Sequence, residues 1–378
     1  MNNKKTYLPV NWIDGMKVNK DHFISSDHFN TNEIKKIYSS LITPFNYGLT
    51  MPDTENKNTF KIHIFIDNQS YIHVKVIHCV AITRGGSRID IYENDYLKNE
   101  LSASMPLIKL NQETINEYVI VLAVNRFERI PSGVPDTWET PPRLPYVLPG
   151  YHVSVHPVEE INSIVTPHSF IIGKLHMSDG KPEVDEDYIP ACQAVYSHPK
   201  LAEFHTQLLK VLGQIEIDIV DILRGIANKK QSTTIAETVV AMSEAMLQFL
   251  SIHLVEFRNM GRYYPPVYMF ETIAAFARTI NNSINKQSTA NREELYNYVQ
   301  DWCNLKQGEF ERLLLNTVEL HYHHDDIQSA IVVLAPFINT ISKIINTLSN
   351  LDFIGRKKDR QIFVKEQKEK PTNSFLVD

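Results

Sequence analysis

The densest gathering of side chains able to bind a metal is His321, His323, His324, Asp325 and Asp326. His321 and His324 stand three apart, so on a helix they would share a face and supply half of a tetrahedral zinc site. Nothing beside them completes the set. The competing role is structural, with Asp325 or Asp326 capping the apolar run that begins at Ile327 and the histidines solvated or lining an axis between copies. No metal is assigned. Arg84-Gly85-Gly86-Ser87-Arg88 could present backbone N–H groups to a phosphate. It lacks the following helix and lysine of a nucleotide-binding loop, and a hairpin turn is expected instead. HExxH, GxSxG, GxGxxG and CxxC patterns are all missing. No catalytic or cofactor-binding residue is therefore assigned, although catalytic groups can converge from distant positions. A hydrolase-like enzyme would reveal itself by a pocket with a converging acid, base or nucleophile.

The bulk properties narrow the partners. The chain has 378 residues, 38 Lys and Arg against 44 Asp and Glu, and a net charge of −6. Such a balance creates no field to steer phosphates, so nucleic acid is a poor partner, and no small-molecule substrate is expected. Cys79, Cys192 and Cys303 lie far apart, which suits a reducing compartment better than a disulfide framework. The start of the chain is polar, and its longest unbroken apolar run, 331–338, is far below the roughly 20 residues a membrane span needs. A cytoplasmic location is expected.

The first half carries strand periodicity. Phe60, Ile62, Ile64 and Ile66 alternate with Lys61, His63, Phe65 and Asp67, and Ile72, Val74 and Val76 alternate with His73 and Lys75. That period of two marks half-buried strands. Residues 88–92, 117–127 and 169–177 add further strands, and several short strands between turns predict an antiparallel sandwich. Residues 130–157 hold seven of the 19 prolines. Such a stretch is expected to be neither helix nor central strand, and is read as an extended arm that packs on a neighbour, or as a stiff surface loop.

Beyond residues 190–199 the period becomes helical. Leu201, Phe204, Leu208, Val211, Ile215, Ile219, Ile222 and Ile226 form one seam, predicting a helix of about 30 residues, roughly 45 Å long. Ile235, Val239, Met242, Met246 and Phe249 form a second seam after a Ser232-Thr233-Thr234 cap region. Pro265-Pro266 opens another helix, and residues 292–303 form one more. Ile327, Ile331, Leu334, Ile338, Ile341, Ile345 and Leu348 form the last seam, with Pro336 inside it and expected to kink it. Ile217 and Val220 widen the first stripe, which suggests that part of it faces another copy. The fold class expected is α+β, with a β-sandwich over 1–195, a helical bundle over 196–351 and a charged tail over 352–378, including one possible short strand at 361–364.

The segment Val10-Asn11-Trp12-Ile13-Asp14-Gly15-Met16, continuing to Asp21-His22-Phe23, resembles the opening signature of the TssK family, roughly V-x-W-x-E-G-M-x-L-x-P-Q-H-F-Q. Trp12, Gly15, Met16, His22 and Phe23 match at the family spacing. Asp14 stands for glutamate, Val18 for leucine, and Lys20-Asp21 for Pro-Gln. Three further islands agree in order: Pro44 to Leu49; Ile172 to Leu175 followed by Asp187 to Pro190; and Tyr322-His323. The resemblance implies a phage-like β-sandwich shoulder and a helical neck. It also implies a non-enzymatic homotrimer that links a TssF–TssG wedge, through the shoulder, to the membrane complex of a type VI secretion system at the inner face of the envelope. The family's C-terminal head is expected to be absent or reduced to the tail, which could itself reach the membrane complex. The signature residues would serve packing or the wedge interface. The seam residues Leu201, Phe204, Leu208, Val211, Ile215, Ile219, Ile327, Ile331, Leu334 and Ile338 would serve the bundle or the trimer. The alternative is a phage-tail-like receptor- or carbohydrate-binding protein.

Overall fold

The computed structural model describes residues 6–54, 58–67, 71–92, 101–106, 117–178, 181–306 and 308–355. The expected charged tail beyond Gly355, its short strand and the head question lie outside the described residues. The chain divides into two compact units, Met1–His198 and Pro199–Asp378.

The first unit begins with α1 (Lys20–Leu41), a helix that the strand-dominated sequence pattern did not announce. Its start is dictated locally. The Asn19 carboxamide oxygen accepts the backbone N–H groups of Asp21 and His22 at 3.0 and 3.3 Å, and His22 Nδ1 accepts that of Asn19 at 3.2 Å. This reciprocal capping satisfies donors that the first turn leaves without partners. None of its residues is buried.

Two antiparallel sheets follow. The first holds β1 (Gly48–Leu49), β2 (Phe60–Ile66), β3 (Tyr71–Ile82), β4 (Arg88–Ile91) and β5 (Ser102–Pro106). β3 is its spine: Cys79 pairs with Phe60 on one side and Ile91 on the other. Ile72, Val74 and Val76 point inward from it while His73 and Lys75 stay partly open, as the alternation predicts. β3 and β4 are joined by the expected turn, with Thr83 N–H donating to Ser87 C=O at 2.9 Å.

The second sheet has the order β7-β6-β8-β9, from β6 (Glu117–Ser132), β7 (Tyr146–Pro157), β8 (Ser169–Ser178) and β9 (Lys181–Val184). The short helix α2 (Ile161–Ile164) lies between β7 and β8. One face of β6 carries Tyr118, Ile120 and Leu122 into the space between the sheets. A Cβ placed on Gly173 of β8 would come 3.3 to 3.6 Å from Ile64 and Ile62 of β2, so the sheets pack face to face. The other face of β6 buries Val119 and Val121 with Ile171 and Tyr188 under Val158, Ile161, Ile164 and Val165. β6 is thus apolar on both faces, and each fully buried Val, Ile or Leu contributes about 1.5–3 kcal/mol.

The proline-rich stretch corrects one expectation. Residues 146–157 form a regular strand, β7, paired with β6 from Tyr118↔Pro157 to Ser132↔Tyr146. The prolines are compatible because β7 is an edge strand, where a missing N–H costs no ladder bond. The pairing slips between Asn125 and Ile130, and Pro149 sits opposite that irregularity. Pro131 lies beyond the part of β6 that β8 pairs, which ends at Ala123. Only residues 133–145 are loop, with a backbone bridge between Asp136 and Arg143.

The second unit contains α3 (Pro199–Asn228), α4 (Thr234–Asn259), α5 (Pro266–Asn285), α6 (Thr289–Cys303), α7 (Glu309–Val318) and α8 (Ile327–Ser349). α7 was not foreseen. The cap region resolves to Thr233, whose hydroxyl accepts Ala236 N–H at 3.2 Å, and Pro266 opens α5. α8 runs from Ile327 to Ser349 with Pro336 inside it. Asp326 does precede α8, but its side chain makes no backbone capping bond and instead accepts the Ser329 hydroxyl at 2.5 Å. α4 and α8 are long and apolar enough to cross a membrane by length and composition alone. Each nevertheless buries an Ile-, Leu- and Met-rich seam among its neighbours, as core helices do.

Candidate interaction surface

The signature segment leads into α1 through a turn. Met16 N–H donates to Ile13 C=O at 3.3 Å, and Gly15 sits at φ +80°. That is the third position of a type II turn, where only glycine is unstrained. The turn folds Trp12 back toward α1, with ring centroids 6.0 Å from His22 and 6.3 Å from Phe23. Three of the five signature residues therefore meet. They do so at the surface: Trp12 is 51% and Phe23 60% exposed, and Met16 is half-buried. His22 has the structural task of closing the cap of α1.

The other islands meet in the interior. Gly48, at φ +101°, lies so close to the chain at Ala191 that a Cβ would overlap Ala191 O. Leu49 N–H donates to Ala191 C=O at 2.8 Å, and Gln193 N–H donates back to Leu49 C=O at 2.9 Å. The Lys174 ammonium stands 5.5 Å from the ring centre of Tyr188. Residues 172–175 thus touch 187–190 through Lys174 and Tyr188, and residues 44–49 bond to the chain just after, at Ala191 and Gln193. In the helical unit Tyr322 stacks on Phe270 at 5.3 Å, and its hydroxyl is 2.8 Å from His324 Nδ1. His324 is buried in this arrangement, and among the described residues no three His, Cys, Asp or Glu gather as a metal set.

The seam residues Leu201, Phe204, Leu208, Ile215, Ile219, Ile327, Ile331, Leu334 and Ile338 are all buried within the single chain. Val211 is only partly buried, and Leu212 takes its inward position. A lone copy hides this seam, because α4 and α8 cover α3. The seam itself therefore gives no reason for a second copy. What remains outside is the flank of α3, where Ile217 is 57% exposed and Val220 half-exposed.

Sequence reasoning missed the apolar face of α1. Phe23, Ile34, Ile37 and Leu41 are all exposed, and spacings of 11, 3 and 4 put them on one side of the helix. The signal was present, since Ile34, Ile37 and Leu41 follow the Asn19 cap at helical intervals. Trp138, at the tip of the β6–β7 hairpin, is 96% exposed and was also passed over. Its loop is ordered by Trp138 N–H on Asp136 Oδ1 at 3.0 Å and by the Arg143–Glu139 ion pair.

No activated nucleophile appears among the described residues. Burial pushes the thiols of Cys79 and Cys192 far up, which leaves them inert. A cavity of about 340 Å³ between α6 and α7 is lined by Glu293, Glu309, Glu311, Lys306, Tyr296 and Phe310, among others. Burial first, and the Glu311 charge second, push the Tyr296 hydroxyl up to about 12, away from any role as a base at neutral pH.

No family model and no curated protein matches the chain. Solved structures do. A crystal structure of TssK is 14% identical, over 89% of this chain and 70% of that one, with a TM-score of 0.52. The baseplate complex from the type VI secretion system gives 11% identity, 90% and 100% coverage and a TM-score of 0.49. The TssK-TssF-TssG baseplate subcomplex gives 12%, 90%, 99% and 0.48. By the first of these, this chain has a TssK-like fold.

Proposed function

We propose that this chain is a non-enzymatic structural component of a type VI secretion baseplate, acting as a homotrimer. Its sandwich holds the TssF–TssG wedge, and its helical unit joins the copies and extends the baseplate toward the membrane complex. The observation that carries this reading is the TssK-like fold along nearly nine-tenths of the chain. The surface chemistry supports it. Trp12, Phe23 and the Ile34–Ile37–Leu41 stripe offer aromatic and aliphatic anchors of the kind that dominate binding energy, and they suit the wedge. Ile217 on α3 suits a neighbouring copy. Three equivalent weak contacts then act as one strong attachment through effective concentration.

Mass measurement in solution tests the assembly, with three times 43.6 kDa expected. A stable monomer at micromolar concentration would sink it. Co-purification with TssF and TssG relatives tests the surfaces. Ile34→Asp with Ile37→Asp should abolish wedge capture and leave the trimer intact. Capture surviving that change would move the wedge site elsewhere.

A further inference from the structure

The turn between β3 and β4 is clamped from two sides. On one side its backbone presses on α1: a Cβ at Gly86 would lie 2.6 Å from both Lys35 O and Ser39 N. On the other side Gly85 N–H donates to Pro167 C=O at 2.5 Å. The half-buried ring of His168 bridges the same three elements. Its Nδ1 is 3.1 Å from Ser87 Oγ, and its Nε2 is 3.1 Å from Lys35 Nζ. An ammonium can only donate, so Nε2 must carry the lone pair and the ring proton must sit on Nδ1, donating to Ser87. The arrangement has one tautomer and requires a neutral ring.

We propose that His168 is a pH-sensitive latch, holding α1 against the two sheets while its ring is neutral and loosening the helix once Nε2 takes up a proton. A protonated Nε2 can no longer accept from Lys35, and the two cations then face each other across a hydrogen-bond distance. The charged groups nearby fit this scheme. On α1, Lys36 is engaged by Glu33 at 2.6 Å. At the turn, Arg84 is exposed and Arg88 is held by Asp90 at 2.7 Å. In the loop before β8, the hydroxyls of Thr166 and Ser169 face each other at 3.2 Å. Burial, and after it the charge of Lys35, lower the His168 pKa below its ordinary 6.5. A lowered histidine favours the closed form fully above 6.5, and that contribution fades as pH falls through the lowered value. The latch matters because α1 has no buried residue to anchor it. Its other ties include the Tyr38–Arg88 hydrogen bond to β4, the exposed Arg129–Asp27 pair at 2.9 Å and the rings of Tyr7 and His28 against Phe127.

Hydrogen exchange on the full chain at pH 7.5 and pH 5.0, corrected for intrinsic rates, tests this inference. Protection of residues 33–41 should fall about tenfold at the lower pH, while β6 and β8 hold theirs. His168→Gln keeps an acceptor for Lys35 but cannot titrate, so its α1 should respond far less. That comparison also separates His168 from His22 and His28 on the same helix. Lys35→Met should weaken the response in part, since the facing ammonium is gone while the burial of the ring remains. An equal response in the wild type and in either variant would overturn the latch. So would a His168 ring titrating at or above 6.5 by NMR. Neither result bears on the baseplate reading, which stands on assembly and wedge capture.

Discussion

α1 has 22 residues and buries none, whereas α8 has 23 and buries Ile327, Ile331, Leu334, Ile338, Ile341, Ile345 and Leu348 along one seam. The two helices differ in what holds them. α8 is fixed by apolar area removed from water, a term that no surface charge or pH change can easily reach. α1 is fixed at its start by a capping box, and along its length by polar and ring contacts: a glycine turn, His168, Tyr38 on Arg88, His28 against Phe127 and an exposed ion pair. The lesson concerns function. A helix that leaves Phe23, Ile34, Ile37 and Leu41 in water, on a base that can loosen, is available to a partner, and α8 is not.

The comparison can be broken from either side. Leu334→Ala should destabilise the helical unit by about 2–5 kcal/mol, the cost of an unfilled core cavity, as measured by urea unfolding. A loss below about 1 kcal/mol would mean that α8 is not the anchor described. Asn346→Ala should cost about 1–3 kcal/mol, because it removes the 3.2 Å donor to the buried Asp218 carboxylate, leaving it with Gln214 at 2.8 Å. Asn19→Ala should cost about 1 kcal/mol, seen as faster exchange in the first turn of α1 and not in α8.

Acid should also act in the helical unit. His205 Nε2 is 2.9 Å from Phe257 C=O in a buried site, and burial lowers its pKa below 6.5. A lowered value means stability is full above 6.5 and declines as pH falls below it. Unfolding midpoints of the helical unit should therefore drop between pH 7 and pH 5, and His205→Gln should reduce that drop. The smallest effect on stability is expected at the exposed flank. Ile217→Asp should change unfolding by no more than about 0.5 kcal/mol, yet shift the mass from three copies toward one if α3 joins the copies.

Much of this molecule was legible because short-range patterns report short-range structure. The alternation along β2 and β3 named the strands, and the 3-4 spacing along α3, α4 and α8 named the helices and nearly all of their inward residues. Val211 was misjudged because Leu212 competes for the same turn, and only the position of the covering helices chooses between neighbours. α1 was missed because its residues are mixed, polar and apolar, and strand signals dominate around it. Residues 130–157 were misjudged because proline content speaks against a central strand but says nothing of an edge.

The sequence by itself determined that β2 and β3 are strands, that α3, α4 and α8 are helices, and which residues of the α3 and α8 seams face inward, Val211 excepted. Periodicity is a property of consecutive residues and needs no partner to be read. Only the tertiary structure decided that Gly48 touches Ala191, that β7 lies along β6, and that His168 stands between Ser87 and Lys35. The Gly48 and His168 contacts join residues 81 to 143 positions apart, and the β6–β7 pairs join residues 14 to 39 apart. Whether such residues meet depends on how the whole chain closes its core, and local spacing does not record that.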